Sequence, residues 1–346
     1  MGLLGGLLAF GPHAGAHRVA LRASVSVLVP LLVLWGTGHL EWSIYAAFGA
    51  FTSLYGRERT DRARLALQVE AGVTQVVVVT LGVLVALLDA RAWLAVPVAA
   101  LLAAGVSAGS AIRGWHPPGA LFQVFAFATV AAAPATPADL LPAVLVSAAS
   151  ALLAVLVGSV GPAVRRVRGV TAEGPGRPIG GAVEGLARYA AQSGAGVLLA
   201  GTIATAAGIG RPYWAMVSAV VPLVARDLGA QLTRGLHRVV GTGLGLLVAW
   251  ALLALDVQGL VLVLVVAVLQ AAAELFVGRN YAFALVFVTP LALLMVHLVL
   301  PVPTRELLAD RGIETLIGVV VGIAVGYVSR PGAAEVIRAR LSSPAA

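Results

Sequence analysis

The stretch "PYWAMVSAVVPLVARDLGAQLTRGLHRVVGTGLGLLVAWALLAL", Pro212 to Leu255, decides the fold class. Its two ends are apolar, yet between Arg226 and Arg238 it holds three arginines and a histidine. Charge at that density stands out, because only 11% of the 346 residues are charged, 60% are hydrophobic and mean hydropathy is +0.98. Soluble domains carry about 25% charged residues. A water-soluble fold of this size has too little interior to hide so much apolar surface. Runs of about 20 apolar residues, enough to cross a bilayer core, recur along the chain. The chain reads as an all-α integral membrane protein with no large soluble domain.

Twelve transmembrane helices are predicted. The first six run over about 18–37, 41–55, 66–88, 92–111, 117–133 and 139–160; the second six over about 188–208, 212–225, 237–255, 257–276, 280–300 and 308–328. The second and eighth are short and flanked by Trp or Tyr, as segments meeting the membrane interface usually are. With the N-terminus in the cytoplasm, nineteen arginines fall in cytoplasmic segments and four, Arg91, Arg211, Arg305 and Arg311, in outer loops. Positive residues concentrate in cytoplasmic loops, so both termini are expected there. Leu228, Leu232 and Leu236 recur every four residues, so the arginine-rich connection before the ninth span is expected to be helical.

The two halves resemble each other. Trp42 pairs with Trp214 and Arg62 with Arg234, both 172 residues apart, and Phe127 and Thr129 pair with Phe287 and Thr289, 160 apart. Six spans per half is an even number, so both halves insert the same way up, as parallel repeats related by an axis along the membrane normal. This gives a first six-helix repeat over 1–162, a linker rich in Gly, Pro and Arg over 163–187, a second repeat over 188–330 and a tail over 331–346. Such a fused pseudo-dimer is compatible with a monomer or a homodimer.

Several classes of function are excluded or disfavoured. There is no cysteine, hence no disulfide, thiolate metal site or cysteine nucleophile. All 23 basic residues are arginine, and the positive-inside distribution accounts for the net charge of +8 without nucleic acid. No Walker pattern, HExxH or GxSxG occurs, so neither an enzyme nor a cofactor is expected. The N-terminus lacks the basic region of a signal peptide. Gly241, Gly245, Gly318, Gly322 and Gly326 recur every four residues within their helices, which is close helix packing rather than a nucleotide loop.

Tyr213 and Trp214 entering a short span, then Arg234, His237, Arg238, Gly241, Thr242 and Gly245, resemble the signature of the fusaric-acid-resistance and aromatic-acid exporter family. "GRNYAFALVFVTPLALLM" (Gly278 to Met295) and "DRGIETLIGVVVGIAVGYVSRP" (Asp310 to Pro331) look like its later blocks. The resemblance covers the second half; the first keeps Trp42 and Arg62. It implies a multi-pass transporter of the bacterial inner membrane that exports small organic acids, often aromatic. It also implies kinship with plant aluminium-activated malate transporters, which are anion channels. A passive organic-anion channel and a non-transporting, lipid-organising membrane protein are the alternatives. Unlike many members of the family, this chain has only the linker and a short tail outside the membrane halves.

The candidate site residues each have two readings. Arg62, Arg234 and Arg238 either anchor loops at anionic lipid or form an anion funnel where the halves meet. Arg279 either pairs with Glu274 across a turn or touches substrate, and Asn280 is placed to cap the following helix. Trp42, Tyr213 and Trp214 are interfacial by default and substrate contacts otherwise. Phe127 and Phe287, with Phe122, Phe125 and Phe283, form stripes that pack helices or meet an aromatic substrate. His297, read as deep in its span, and Glu314, read as an outer-edge residue unless it couples protons, are the proton-carrying candidates, since ionisable residues at membrane depth lean functional. No metal ligands are expected. Membrane lipid and a small organic anion are the expected partners.

Overall fold

A computed structural model describes residues 3–13, 15–57, 59, 61–167, 185–225, 227–299 and 302–330. The described residues form helices and connections, with no strand among them. In chain order the helices are α1 (Leu3–Leu8), α2 (Ala16–Thr37), α3 (Ser43–Ala50), α4 (Asp61–Ala86), α5 (Arg91–Arg113), α6 (Leu121–Ala132) and α7 (Leu140–Val167). They continue as α8 (Leu186–Ala206), α9 (Tyr213–Leu223), α10 (Leu228–Ala254), α11 (Gly259–Val277), α12 (Tyr281–Val299) and α13 (Thr304–Val328). Most of the expected linker, residues 168–184, and the expected tail lie outside the described residues.

Helix occurs in each of the twelve predicted segments, but among the described residues eight helices are long and apolar enough to cross a membrane: α2, α4, α5, α7 and α10 to α13. Large apolar side chains on them point away from the protein, among them Leu101, Leu247 and Val268. An apolar exterior of this extent needs lipid as solvent. The short helices have the opposite environment. All eight residues of α3 and all eleven of α9 are buried. An eleven-residue helix is about 16 Å long and cannot span a core of about 30 Å by itself. Enclosure by longer helices is what makes these segments stable at membrane depth, since their unpaired terminal groups then meet protein partners.

Two of the long helices carry a side-chain cap at their start. Asp227 caps α10, its carboxylate accepting from the Ala230 N–H at 2.8 Å, so the arginine-rich connection is indeed mostly helix. Asn280 caps α12, its Oδ1 accepting from the Phe283 N–H at 2.9 Å. Glycine lets helices approach where a side chain could not. A Cβ on Gly245 would lie 2.7 Å from the Leu285 carbonyl oxygen of α12 and 2.6 Å from the Thr289 Cβ.

The helix pairings alternate between halves. Within the first half α4 packs on α6 and α3 on α7; within the second α10 packs on α12 and α9 on α13. Across the halves α2 packs on α11 and α8 on α5, while α6 meets α9 and α3 meets α12.

Candidate functional site

The best-defined polar site lies around the start of α9. Glu314, fully buried on α13, accepts from the backbone N–H groups of Arg211 and Trp214, both at 3.1 Å. It thus meets the free N–H groups and positive dipole end of that helix. One turn earlier on α13, Asp310 pairs with the Arg211 guanidinium. With Asp310, Glu314 thus clamps the start of α9 in place.

Arg311, the neighbour of Asp310 in sequence, is 1% exposed. It lies inside α13, not in an outer loop as its sequence position suggested. Its guanidinium carbon sits 3.9 Å from the centre of the Trp214 ring, a cation–π contact. Its Nε and Nη1 have no hydrogen-bond partner. Arg238 of α10, also buried, donates from Nε to Ser218 Oγ and from Nη1 to the Tyr281 hydroxyl, both at 3.3 Å. The charges of Arg238 and Glu314 are each near enough to act on Arg311. The Trp214 Nε1, the Tyr213 hydroxyl and the hydroxyls of Thr242 and Thr289 are likewise buried and without partners. Buried charges and donors are ordinarily satisfied. These groups are left without partners within the protein.

Tyr213 and Trp214 are thus buried within the protein, at 2% and 1% exposure. The other candidates are dispersed. Arg62, in the first turn of α4, and Arg234 on α10 are exposed and do not join Arg238. Trp42 is half-buried and stacks on His39 at 4.1 Å. The same His39 hydrogen-bonds Glu41 and holds that carboxyl below its usual range. Glu274 pairs not with Arg279 but with Arg57, at 3.0 Å, joining the two halves. Phe127 is fully buried against α4, and Phe287 packs with Phe276 and Phe283. His297 is not deep: it lies in the last turn of α12, half-buried, and none of Glu314's partners involves it.

Arg279 and Asn280 serve the N-terminal segment. Asn280 Nδ2 donates to the carbonyls of Leu7 and Ala9 at 2.7 and 3.2 Å. The Gly11 N–H donates to the Arg279 carbonyl at 2.8 Å. The Arg279 guanidinium rests on the Phe10 and Phe276 rings. His237 Nε2 lies 3.2 Å from the Gly6 carbonyl. Residues 3–13 therefore lie over the end of the second bundle that holds Tyr281.

Between the halves lies an apolar cavity, lined by α2, α3 and α6 on one side and α11 and α12 on the other. Arginine does not line it. Phe125, on its wall, meets Trp214 with ring centres 5.0 Å apart, so one aromatic pair separates the cavity from the buried arginines.

The part of the chain that builds this polar site is also the part that a family model matches. Residues 199–325 match the fusaric acid resistance protein-like family. That region runs from α8 to α13 and contains Trp214, Arg238, Arg311 and Glu314. The family is consistent with a membrane transporter and with the motifs read from the sequence. The chain is also similar to YvaC, an uncharacterized membrane protein of Bacillus subtilis (strain 168), with 34% identity over 92 residues. That alignment takes in 27% of this chain and 15% of the relative. No solved structure matches the chain.

Arg311 is the candidate that sequence reasoning missed, although a signal was there. Asp310 and Glu314 are four apart, hence on one helical face, at the start of a predicted span. Three charges inside the predicted span 308–328, Asp310, Arg311 and Glu314, are themselves a pointer to function.

Proposed function

We propose that the protein is a bacterial inner-membrane transporter of small organic anions, aromatic acids among them, exporting them from the cytoplasm. The observation that carries this reading is Arg311, buried against Trp214 with two unpartnered guanidinium nitrogens and a second buried arginine, Arg238, within electrostatic reach. In this reading the substrate carboxylate bridges the two guanidinium groups, since charge-assisted hydrogen bonds from arginine suit a carboxylate. The Trp214 and Tyr213 rings meet its apolar body. Glu314 sets the position of α9 and thereby of Trp214.

The architecture proposed with it is a fused pseudo-dimer of two parallel six-helix repeats, with both termini in the cytoplasm and lipid around it. The reciprocal pairings support this: α2 on α11 mirrors α8 on α5, and α3 on α7 mirrors α9 on α13. Side chains support it too. Gln68 donates to the Tyr55 carbonyl and lies against Gly158; Gln231 donates to the Ala225 carbonyl and lies against Gly326. On that register Gln75 is the counterpart of Arg238, so the anion site belongs to one repeat and Arg62 is not the equivalent of Arg234.

The test is flux of a panel of radiolabelled aromatic acids and dicarboxylates in proteoliposomes. Arg311→Gln and Arg238→Gln should each reduce flux by about tenfold or more, the scale of a lost charge-assisted interaction, and Arg234→Gln should leave it unchanged. Correctly folded Arg311→Gln and Arg238→Gln proteins with wild-type flux would end the proposal. Steady anion current under voltage would reassign the same site to a channel.

A further inference from the structure

From the cavity between the halves we infer that the protein has a second binding site, for small uncharged apolar molecules bearing one hydroxyl or amino group. This site does not depend on the proposed anion site. Its wall is built from both halves: Phe48, Phe125 and Thr129 on one side, Gln270, Leu291 and Met295 on the other. The space it leaves for the centre of a water-sized sphere is about 60 Å³, several times the roughly 10–15 Å³ that one water needs.

The chemistry of the wall selects the ligand. The lining is aromatic and aliphatic apart from the Gln270 side-chain amide and the Thr129 hydroxyl, and no charged side chain is part of it. The nearest turn of α11 does carry a carboxylate, Glu274, but its pairing with Arg57 neutralises it and ties α11 to the connection after α3. An ion moved into such a wall loses its hydration with nothing to replace it. An uncharged ring keeps its apolar gain and needs only one polar partner. That partner is present: Thr129 is 3% exposed, and its hydroxyl has no hydrogen bond within the protein. Gln270, also 3% exposed, lies on the opposite wall, and its amide has both a donor and an acceptor. The rings of Phe48, Phe51 and Phe125 meet edge to face, which leaves aromatic faces for a flat molecule to pack on.

The chain has no cysteine, so one introduced thiol reports on the cavity alone. Thr129→Cys in nanodiscs is treated with N-ethylmaleimide, an uncharged reagent, with and without 2-naphthol or 2-naphthoate. The two compounds share a ring system and differ in charge at neutral pH. At ten times its Kd, 2-naphthol should slow labelling about tenfold, because the unoccupied fraction falls by that factor, whereas 2-naphthoate at the same concentration should change it less than about twofold. Adding Gln270→Leu should weaken protection by 2-naphthol. Met295→Cys serves as a second reporter should Thr129→Cys fail to fold. Equal protection by naphthoate would overturn the selectivity. Absence of protection by either compound, or absence of labelling at both positions, would overturn the site. Arg311→Gln should leave protection by 2-naphthol intact, so the anion proposal and this one fail separately.

Discussion

Arg311 and Glu314 are three residues apart on α13, yet their environments assign them opposite tasks. Glu314 is satisfied by backbone N–H groups at the start of α9, while Arg311 keeps unpartnered donors against Trp214. A satisfied buried group holds structure; an unsatisfied one awaits a partner. Glu314→Ala is therefore expected to lower stability by roughly 3–5 kcal/mol, the scale for breaking a buried charged contact. Arg311→Met should cost little stability or even raise it. Thermal unfolding of both variants in one detergent checks the contrast, and equal losses would contradict it. At this scale the sequence was informative where chemistry is local. Asn280 followed by an apolar run was readable as a cap, and the cap is there. The depth of Tyr213, Trp214 and Arg311 was not readable, because it depends on which helices enclose α9, and no local pattern records that.

The helices themselves were legible from apolar runs, since their lengths follow the period and thickness that water and lipid impose. What length alone could not convey is that α3, α6 and α9 are enclosed by longer helices rather than spans in their own right. Their packing relies on positions without side chains. A Cβ on Gly245 would collide with the α12 backbone, whereas one on Gly243, two residues away on the same helix, would meet no atom within 4 Å. Gly245→Ala should therefore separate α10 from α12 and lower the melting temperature by several degrees. Gly243→Ala should be neutral or stabilising by up to about 1 kcal/mol, the helix propensity difference. A pair of melting curves decides it, and similar losses at the two sites would mean that α10 and α12 do not meet at this face. The covering segment over residues 3–13 left little trace in the sequence. Its hold on Asn280 and Arg279 is made through backbone carbonyls and N–H groups, which any residue supplies.

For the whole molecule, the contacts between halves carry the most weight, because each half supplies a helix that packs on the other. α2 lies on α11 and α8 on α5, and Arg57 reaches Glu274 across the junction. Exchange of this kind within one chain also has a counterpart between two chains, as in swapped dimers. The two arrangements bury the same surfaces and differ only in which chain provides each half, so the helix pairings by themselves fit either. Covalent linkage separates them. With Arg57→Cys and Glu274→Cys in the cysteine-free chain, a short bifunctional thiosulfonate should join the two thiols. A protease site placed within residues 168–184 then cuts the chain between halves. If the halves pack within one chain, the crosslinked protein runs as a single chain before cleavage, and its two fragments stay joined afterward. Each single-cysteine variant should release them. A crosslinked band at twice the chain mass before cleavage would instead place α2 and α11 of each junction in different molecules, and the cavity between them would then be a feature of the dimer.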